Sequence, residues 1–371
     1  MWSNLPFDLL ANILSFLSSD SLAMASSVCQ HWHSCSRAYN LQYTVKDRLA
    51  WLVVFPTRNR SPCCYVHNPV IDKWHVLSLD FLPDPVRPVT SIGSLLLLRP
   101  TNSIVLQLVL CNPFTRQFRY LPVLNMARTN PAVGVVVESQ TKQGPFPSFR
   151  VYVAGGMSEV ASGGAMYEPT LEMYDSRYDT WKIVGPMPVE FAVRLTVWTP
   201  NESVYTNGVL YWMTSARAYS VMGFEIISNT WRELSVPMSD RLEFAALVQR
   251  NERLTLVGGT CGGGGGGDAC VWELSEGEIW CLIEKVPMEL GMKLLGGKPS
   301  WGSTKCVGGN GAICLYRELG SGMIIWREVE EEEKRRRWEW SWGDGCCLVR
   351  GKRIQNLAIK GVLLHPSPLA F

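Results

Sequence analysis

Cysteine, histidine and glycine are the residues of this chain whose chemistry would be easiest to recognise, and their spacing speaks against a reaction centre. The 12 cysteines are scattered. Two pairs, Cys63–Cys64 and Cys346–Cys347, are adjacent, and no CxxC pair recurs to make a zinc site or a disulfide framework. The five histidines, His31, His33, His67, His75 and His365, lie away from any cysteine cluster, and His31 and His33 flank Trp32. Free buried thiols in a reducing compartment are the reading that follows. Gly262 to Gly267 lacks the Lys-Ser or Lys-Thr and the following helix that a phosphate cradle requires, so it reads as a flexible surface loop. No Ser-His-Asp arrangement can be argued. No catalytic residue, metal ligand or cofactor is assigned, and the chemistry left to the chain is recognition by apolar, aromatic and cationic side chains. Candidates for that role on loops are Arg194, Trp198, Arg217 and Tyr219.

A chain of 371 residues with 47% apolar and 18% charged residues has room for two or three folded domains. Its formal charge of +2 gives no electrostatic reason to expect nucleic acid or an anionic membrane as partner. No run of 18 apolar residues is present to span a bilayer, and no secretory signal opens the chain. An intracellular setting, cytoplasm or nucleus, is expected. The run Glu330 to Arg337, EEEEKRRR, reads as a solvated hairpin tip, with nuclear import through Lys334 to Arg337 as the alternative.

The recognition residues must be held by elements, and the first of these are helical. Between Leu5 and Leu17 the apolar residues Leu9, Leu10, Ile13, Leu14, Phe16 and Leu17 recur at three- and four-residue steps, the period of a helix, behind a Pro6 that suits a helix start. Ser18, Ser19 and Asp20 end that helix and cap a short second one bearing Leu22, Ala23 and Ala25. A third begins near Ser27 and carries Val28, Cys29, Trp32 and Cys35. Three helices in so short a stretch cannot enclose a self-sufficient core, because chains below roughly 40 residues usually need a staple or a partner. The stretch resembles the F-box motif, carried here by Leu5, Pro6, Leu9, Leu10, Ile13, Leu14, Val28, Cys29 and Trp32.

After Leu41 the pattern changes to short β-rich runs bounded by Gly, Pro, Asn and Asp. Within them an aromatic interval repeats. Seven residues separate Tyr174 from Trp181, Phe224 from Trp231 and His67 from Trp74, with a weaker copy at Cys111 and Phe118. Trp272 with Trp280 and Trp326 with Trp338 extend the series. Paired glycines, Gly155-Gly156 and Gly258-Gly259, suit the end of an inner strand, where the chain turns and packs closely. The anchors Trp74, Phe118, Trp181, Trp231, Trp280 and Trp338 recur near every fifty residues, the period of a four-stranded blade that must close radially with its neighbours. This is similar to the kelch repeat, with Gly155, Gly156, Tyr174 and Trp181 matching best. Residues 43 to 371 number 329, about 55 per blade for six blades and about 47 for seven. Six anchors favour six, with Asn356 to Leu364 as the strand that completes the first blade.

The expected molecule is therefore mainly β, a three-helix F-box over residues 1–42 followed by a kelch-like β-propeller over 43–371. The resemblance implies a substrate-recognition subunit of an SCF-type (Skp–cullin–F-box) ubiquitin ligase, non-catalytic itself. Its head would bind a Skp-type adaptor, and through it a cullin, using Leu5, Pro6, Leu9, Leu10, Ile13, Leu14, Leu17, Leu22, Val28, Cys29 and Trp32. Its propeller would hold a target protein, with no nucleic acid and no membrane as partner. A scaffold or sensor acting without degradation is the alternative. An enzyme on the propeller axis, as in copper oxidases with kelch-like blades, would need converging histidines that His67, His75 and His365 do not supply.

Overall fold

The computed structural model describes residues 5–17, 25, 28–38, 49–57, 62–138, 148–159, 163–197, 203–216, 218–261, 267–297, 300–309, 311–330, 336–346, 348–349, 352–353 and 357–365. Several strands are apolar and buried nearly without a break, among them WLVVFP at Trp51–Pro56, LLLLRP at Leu95–Pro100 and VLYWMT at Val209–Thr214. Because successive residues of a strand point to opposite faces, a strand buried throughout must belong to a sheet covered on both sides. Here the cover is another sheet each time. Six antiparallel sheets of four strands follow one another along the chain.

From the axis outward, blade I is built of Ile359–Leu364, Trp51–Pro56, Cys63–Asn68 and Lys73–Ser78, and blade II of Val86–Ile92, Leu95–Pro100, Val109–Asn112 and Gln117–Tyr120. Blade III comprises Ala132–Val137, Phe149–Ala154, Thr170–Asp175 and Thr180–Pro186; blade IV, Ser203–Thr206, Val209–Thr214, Ser220–Glu225 and Thr230–Ser235. Leu242–Arg250, Arg253–Thr260, Ala269–Leu274 and Trp280–Lys285 make blade V, and Lys305–Gly309, Ala312–Tyr316, Met323–Glu330 and Arg336–Gly343 make blade VI.

Each pair of neighbouring blades shares one apolar cluster, and the clusters form a cycle. In blade I, Leu52 and Val54 face Val307, Cys314 and Ile325 of blade VI, whereas Trp51, Val53 and Phe55 on the opposite face pack with Leu96, Leu98 and Val109 of blade II. Corresponding clusters join II to III, III to IV, IV to V and V to VI. The innermost strands touch in the same cyclic order. The architecture is thus a closed six-bladed propeller. Closure is made by the C-terminal strand, as expected, with Trp51 opposite Leu364 and Pro56 opposite Ile359.

The repeated aromatics sit where the third strand turns into the fourth. His67 pairs with Trp74, Cys111 with Phe118, Tyr174 with Trp181 and Phe224 with Trp231, so the seven-residue interval is a register of the hairpin. Two residues before the anchor, the chain takes a left-handed conformation at Asp72, Arg116, Asp179, Asn229 and Glu278, which closes the tight turn. Blades V and VI depart from the expected pairing. In blade V the turn sets Trp280 opposite Leu274 instead of Trp272, and in blade VI Trp326 stands opposite Trp340, with Trp338 two pairs further along, opposite Glu328. Gly258-Gly259 lie near the end of the second strand from the axis in blade V, and Gly155-Gly156 directly follow the second strand of blade III.

Three helices are expected in the N-terminal segment. The described residues hold two, α1 (Phe7–Ser15) and α2 (Gln30–Ala38). The middle helix expected around Leu22 to Ala25 falls outside the described residues except at Ala25, and so does the expected boundary between residues 42 and 43. Two further helices, α3 (Val189–Val197) and α4 (Met288–Leu295), lie in the connections from blade III to IV and from V to VI. Since strands alternate in direction, these connections and the loops between second and third strands emerge on one face of the ring. That face also carries the hairpins Met157–Glu159/Ala165–Tyr167 and Leu348–Val349/Lys352–Arg353. It is the elaborated face; the turns from third to fourth strand lie on the other. The tip of the acidic-basic run, residues 331–335, and residues 262–266 of the glycine run lie outside the described residues.

Candidate functional site

The helical head presents an apolar ridge. On α1 the stripe divides by angle: Leu10 and Leu14 point inward and are fully buried, while Leu9 and Ile13, one helical step around, are 51% and 41% exposed. Phe16 just beyond the helix is 80% exposed and continues the ridge, and Val28 is exposed nearby in sequence to α2. Leu10, Ala11, Leu14, Ala25 and Cys35 form a small core, with Leu5, Leu17 and Trp32 packed partly against it. Pro6 precedes the first helical residue and its carbonyl accepts from Leu10 N–H. Cys29 is half-buried, and Leu22 lies outside the described residues.

Two side chains outside the expected adaptor-binding set clip the helices together. His31 Nε2 lies 2.8 Å from the Leu5 carbonyl and its ring packs on Phe7 at 4.7 Å between centroids. Cys35 Sγ donates to the Phe7 carbonyl at 3.4 Å. His31 and Cys35 were legible as residues but not as partners, because nothing in the sequence sets how two short helices cross. The arrangement is a hairpin whose inner face is filled and whose outer face keeps large aliphatic and aromatic groups in water.

The propeller residues expected to recognise a partner have different environments. Arg194 on α3 donates to Thr214 Oγ1 at 3.2 Å and to Ser220 Oγ, and pairs with Glu233 at 2.9 Å. Its hydrogen bond holds the Glu233 carboxyl below the usual carboxylate range. Arg194 therefore fastens α3 onto blade IV. Tyr219 stands at the mouth of the central channel, where its hydroxyl donates to the Glu243 carbonyl at 3.4 Å. Trp198 and Arg217 lie outside the described residues.

Among the described residues no three His, Cys, Asp or Glu side chains converge as a metal set. No disulfide joins the described cysteines, and burial pushes the thiols of Cys111 and Cys314 up to about 12, far from the thiolate form that would make them nucleophiles. His67, whose Nε2 is 2.8 Å from Asp72, has its pKa lowered by burial against the opposing influence of that carboxylate.

The head is thus a helical hairpin with an uncovered apolar ridge, carried ahead of a six-bladed ring. Residues 2–42 match the F-box domain family. Over its whole length the chain is 24% identical to F-box only protein 6 of Arabidopsis thaliana, covering 75% of that protein. It is 27% identical to an F-box/kelch-repeat protein of the same plant over 70% of this chain and 66% of that one. A third relative, the Arabidopsis thaliana protein UNUSUAL FLORAL ORGANS, is 23% identical over 69% and 60%. The chain thus spans between three fifths and three quarters of the length of these relatives. Among solved structures, TolB from Acinetobacter baumannii aligns with a TM-score of 0.45 at 7% identity, over 86% of this chain and 67% of that one. The chain carries an F-box domain at its N-terminus followed by a six-bladed propeller, and its relatives include F-box/kelch-repeat proteins.

Proposed function

We propose that the chain is the substrate-recognition subunit of an SCF-type ubiquitin ligase. F-box proteins with propeller domains generally serve as such receptors, and the observation that carries the reading here is the ridge of Leu9, Ile13 and Phe16 left in water on a segment that matches the F-box. Large apolar groups dominate interface energies when a partner desolvates them. The ridge would dock a Skp-type adaptor, which in turn joins a cullin scaffold. The propeller would hold the target through loops of its elaborated face. The chain itself breaks and makes no bond. Its contribution is proximity, raising the effective concentration of target lysines near a charged conjugating enzyme. An intracellular setting, cytoplasm or nucleus, belongs to the same proposal.

Purified full-length chain and a recombinant Skp-type adaptor test this directly. Replacing Leu9 and Ile13 by Asp places two carboxylates against the partner without counter-ions, each costing several kcal/mol of desolvation. At 1.4 kcal/mol per tenfold, Leu9→Asp with Ile13→Asp should weaken adaptor binding by at least about a hundredfold. Both residues are exposed, so the helical circular dichroism of the variant should match wild type. Undiminished adaptor binding by a folded variant, or none by wild type, would refute the assignment.

A further inference from the structure

Where blades II and III meet on the elaborated face, two arginines stand directly opposite one another. Arg87 is near the start of the innermost strand of blade II, and Arg99 is its partner in register on the next strand. Leu95 and Leu97 pack against Phe149 and Val151 of blade III, and strand alternation puts Arg99, and Arg87 across from it, on that same face. Arg99 Nη2 donates to Asn130 Oδ1 at 3.3 Å, and Asn130 stands just before the innermost strand of blade III. The pair thus lies at the mouth of the cleft between the two blades.

Like charges directly across an antiparallel pair of strands are destabilising. Arg99 is half-buried, and burial, followed by the positive charge of Arg87, lowers its pKa. Asn130 gives it a neutral acceptor but no countercharge. Among the described residues neither arginine forms an ion pair, and the carboxylates of the surrounding segments are engaged elsewhere. Asp84 accepts from Asn102 Nδ2 at 2.6 Å and from the Tyr120 hydroxyl at 2.9 Å, Glu168 from Ser158, and Glu172 from Arg128. Glu159 lies beyond Met157 on the side of Thr129 away from Asn130, because that bridge is antiparallel.

The chain beside the arginines is apolar and open to water. The loop after Arg99 is tied at both ends: Thr101 N–H donates to Pro85 O at 2.8 Å, and Leu106 N–H donates at 2.8 Å to the carbonyl of Arg128, close in sequence to Asn130. Between these ties stand Ile104 and Val105, 84% and 41% exposed, and Met126, shortly before Arg128, is 37% exposed. A free ion would use the charge alone. An acidic segment of a protein would neutralise the guanidinium forks and cover the apolar ledge as well.

We propose that the cleft mouth between blades II and III seats a carboxylate-bearing segment of a protein partner, with Arg87 and Arg99 holding its acidic side chains and Ile104, Val105 and Met126 covering its apolar neighbours. The inference rests on the propeller being the target-binding domain. It narrows the target to a protein that presents Asp or Glu beside apolar residues in an accessible stretch.

The test uses the full-length chain bound to its adaptor and pools of short peptides with randomised flanks, whose centre is Asp or Glu, Asn or Gln, Lys, or phosphoserine. The acidic pool should bind on the order of tenfold tighter than the amide pool, as expected of charge-assisted contacts, and the preference should shrink with added salt. Sequencing the retained acidic peptides should show apolar residues enriched next to the acid. Arg87→Gln should abolish the preference without lowering the melting temperature, since it removes the cross-strand repulsion. Arg253→Gln, an equal loss of charge on the opposite face at the start of the second strand of blade V, should leave the preference intact. Equal binding of the acidic and amide pools overturns the proposal, as does a preference that survives Arg87→Gln in a folded protein or is lost equally with Arg253→Gln. Tighter binding of the phosphoserine pool overturns the carboxylate as ligand, and an absence of apolar enrichment overturns the polypeptide as occupant. Adaptor recovery is read in the same samples, so a wild-type chain that selects acidic peptides but recovers no adaptor condemns the ligase reading and leaves this one standing.

Discussion

Arg128 shows how one residue can fix the join between two blades. It lies in the connection from blade II to blade III, is fully buried, and places all five of its guanidinium protons. Nε donates to Met126 O, Nη1 to Gly155 O and Thr170 O, and Nη2 to Thr170 Oγ1 and to Glu172 Oε1 at 2.5 Å. Glu172, equally buried, accepts in addition from the backbone N–H groups of Asn125 and Met126 and from Asn125 Nδ2. Gly156 has a φ of +97°, and a Cβ there would come within 3.2 Å of Arg128 Cδ, so the second glycine of the pair leaves room for the arginine as well as for the turn. A buried ion pair contributes little net stability compared with apolar packing, but removing one partner strands the other. Glu172→Gln or Arg128→Met should therefore destabilise the propeller by about 3–5 kcal/mol in urea unfolding. The double variant should cost less than the sum of the two singles. Additive losses would show that the two groups act separately. Neither residue was legible in the sequence, because a Glu on a strand and an Arg in a loop are ordinarily solvent-facing and only the ring brings them together.

At the scale of the blade, the anchor tryptophans do more than fill a wedge. Trp74 of blade I donates its indole N–H to Asp344 O, just past the outer strand of blade VI; Trp181 of blade III donates to Pro122 O behind blade II; and Trp280 of blade V donates to Ser235 O of blade IV. Each bond runs back to the blade before. Trp231 of blade IV is in the equivalent place and Trp338 of blade VI is on the corresponding outer strand, yet their buried indole nitrogens have no partner among the described residues, and Phe118 of blade II has none to offer. Trp181→Phe would remove a hydrogen bond and leave a carbonyl unpaired, whereas Trp231→Phe would remove a donor that is already unpaired. The first should cost about 1–3 kcal/mol more than the second in equilibrium unfolding, the two substitutions being alike in volume. Equal costs would mean that the back-bond contributes nothing. The repeat was legible because its aromatics are a register: seven residues across a hairpin whose turn holds one left-handed residue. Its lapses at Trp272 and at Trp326 were not legible, since the turns of blades V and VI shift the pairing without changing residue type. In the head the apolar stripe was legible as a whole, but its division into buried Leu10 and Leu14 and exposed Leu9 and Ile13 depends on where α2 crosses.

For the whole molecule, the core clusters show where cooperativity should lie. The cluster of the head contains only residues between Leu5 and Cys35, while every propeller cluster joins two blades. A ring in which each blade buries both faces against neighbours has no free sheet face, and the innermost strand of blade I, Ile359–Leu364, is what completes it. That strand contributes Ile359 and Leu363 to the join with blade VI, and Val362 and Leu364 to the join with blade II. Residues 43–371 should accordingly fold without the head and melt in one transition at the temperature of the full chain, as domains with separate cores do. A chain ending at residue 356 should melt far lower or fail to fold, because two inter-blade clusters are opened and an unpaired strand edge is exposed. Differential scanning calorimetry of the three chains decides the point. If the fragment 43–371 aggregates while the full chain is well folded, the head is part of the propeller's stability. If the chain ending at 356 melts with the full chain, the closing strand does not hold the ring, and the cyclic order of clusters is not the source of its cooperativity.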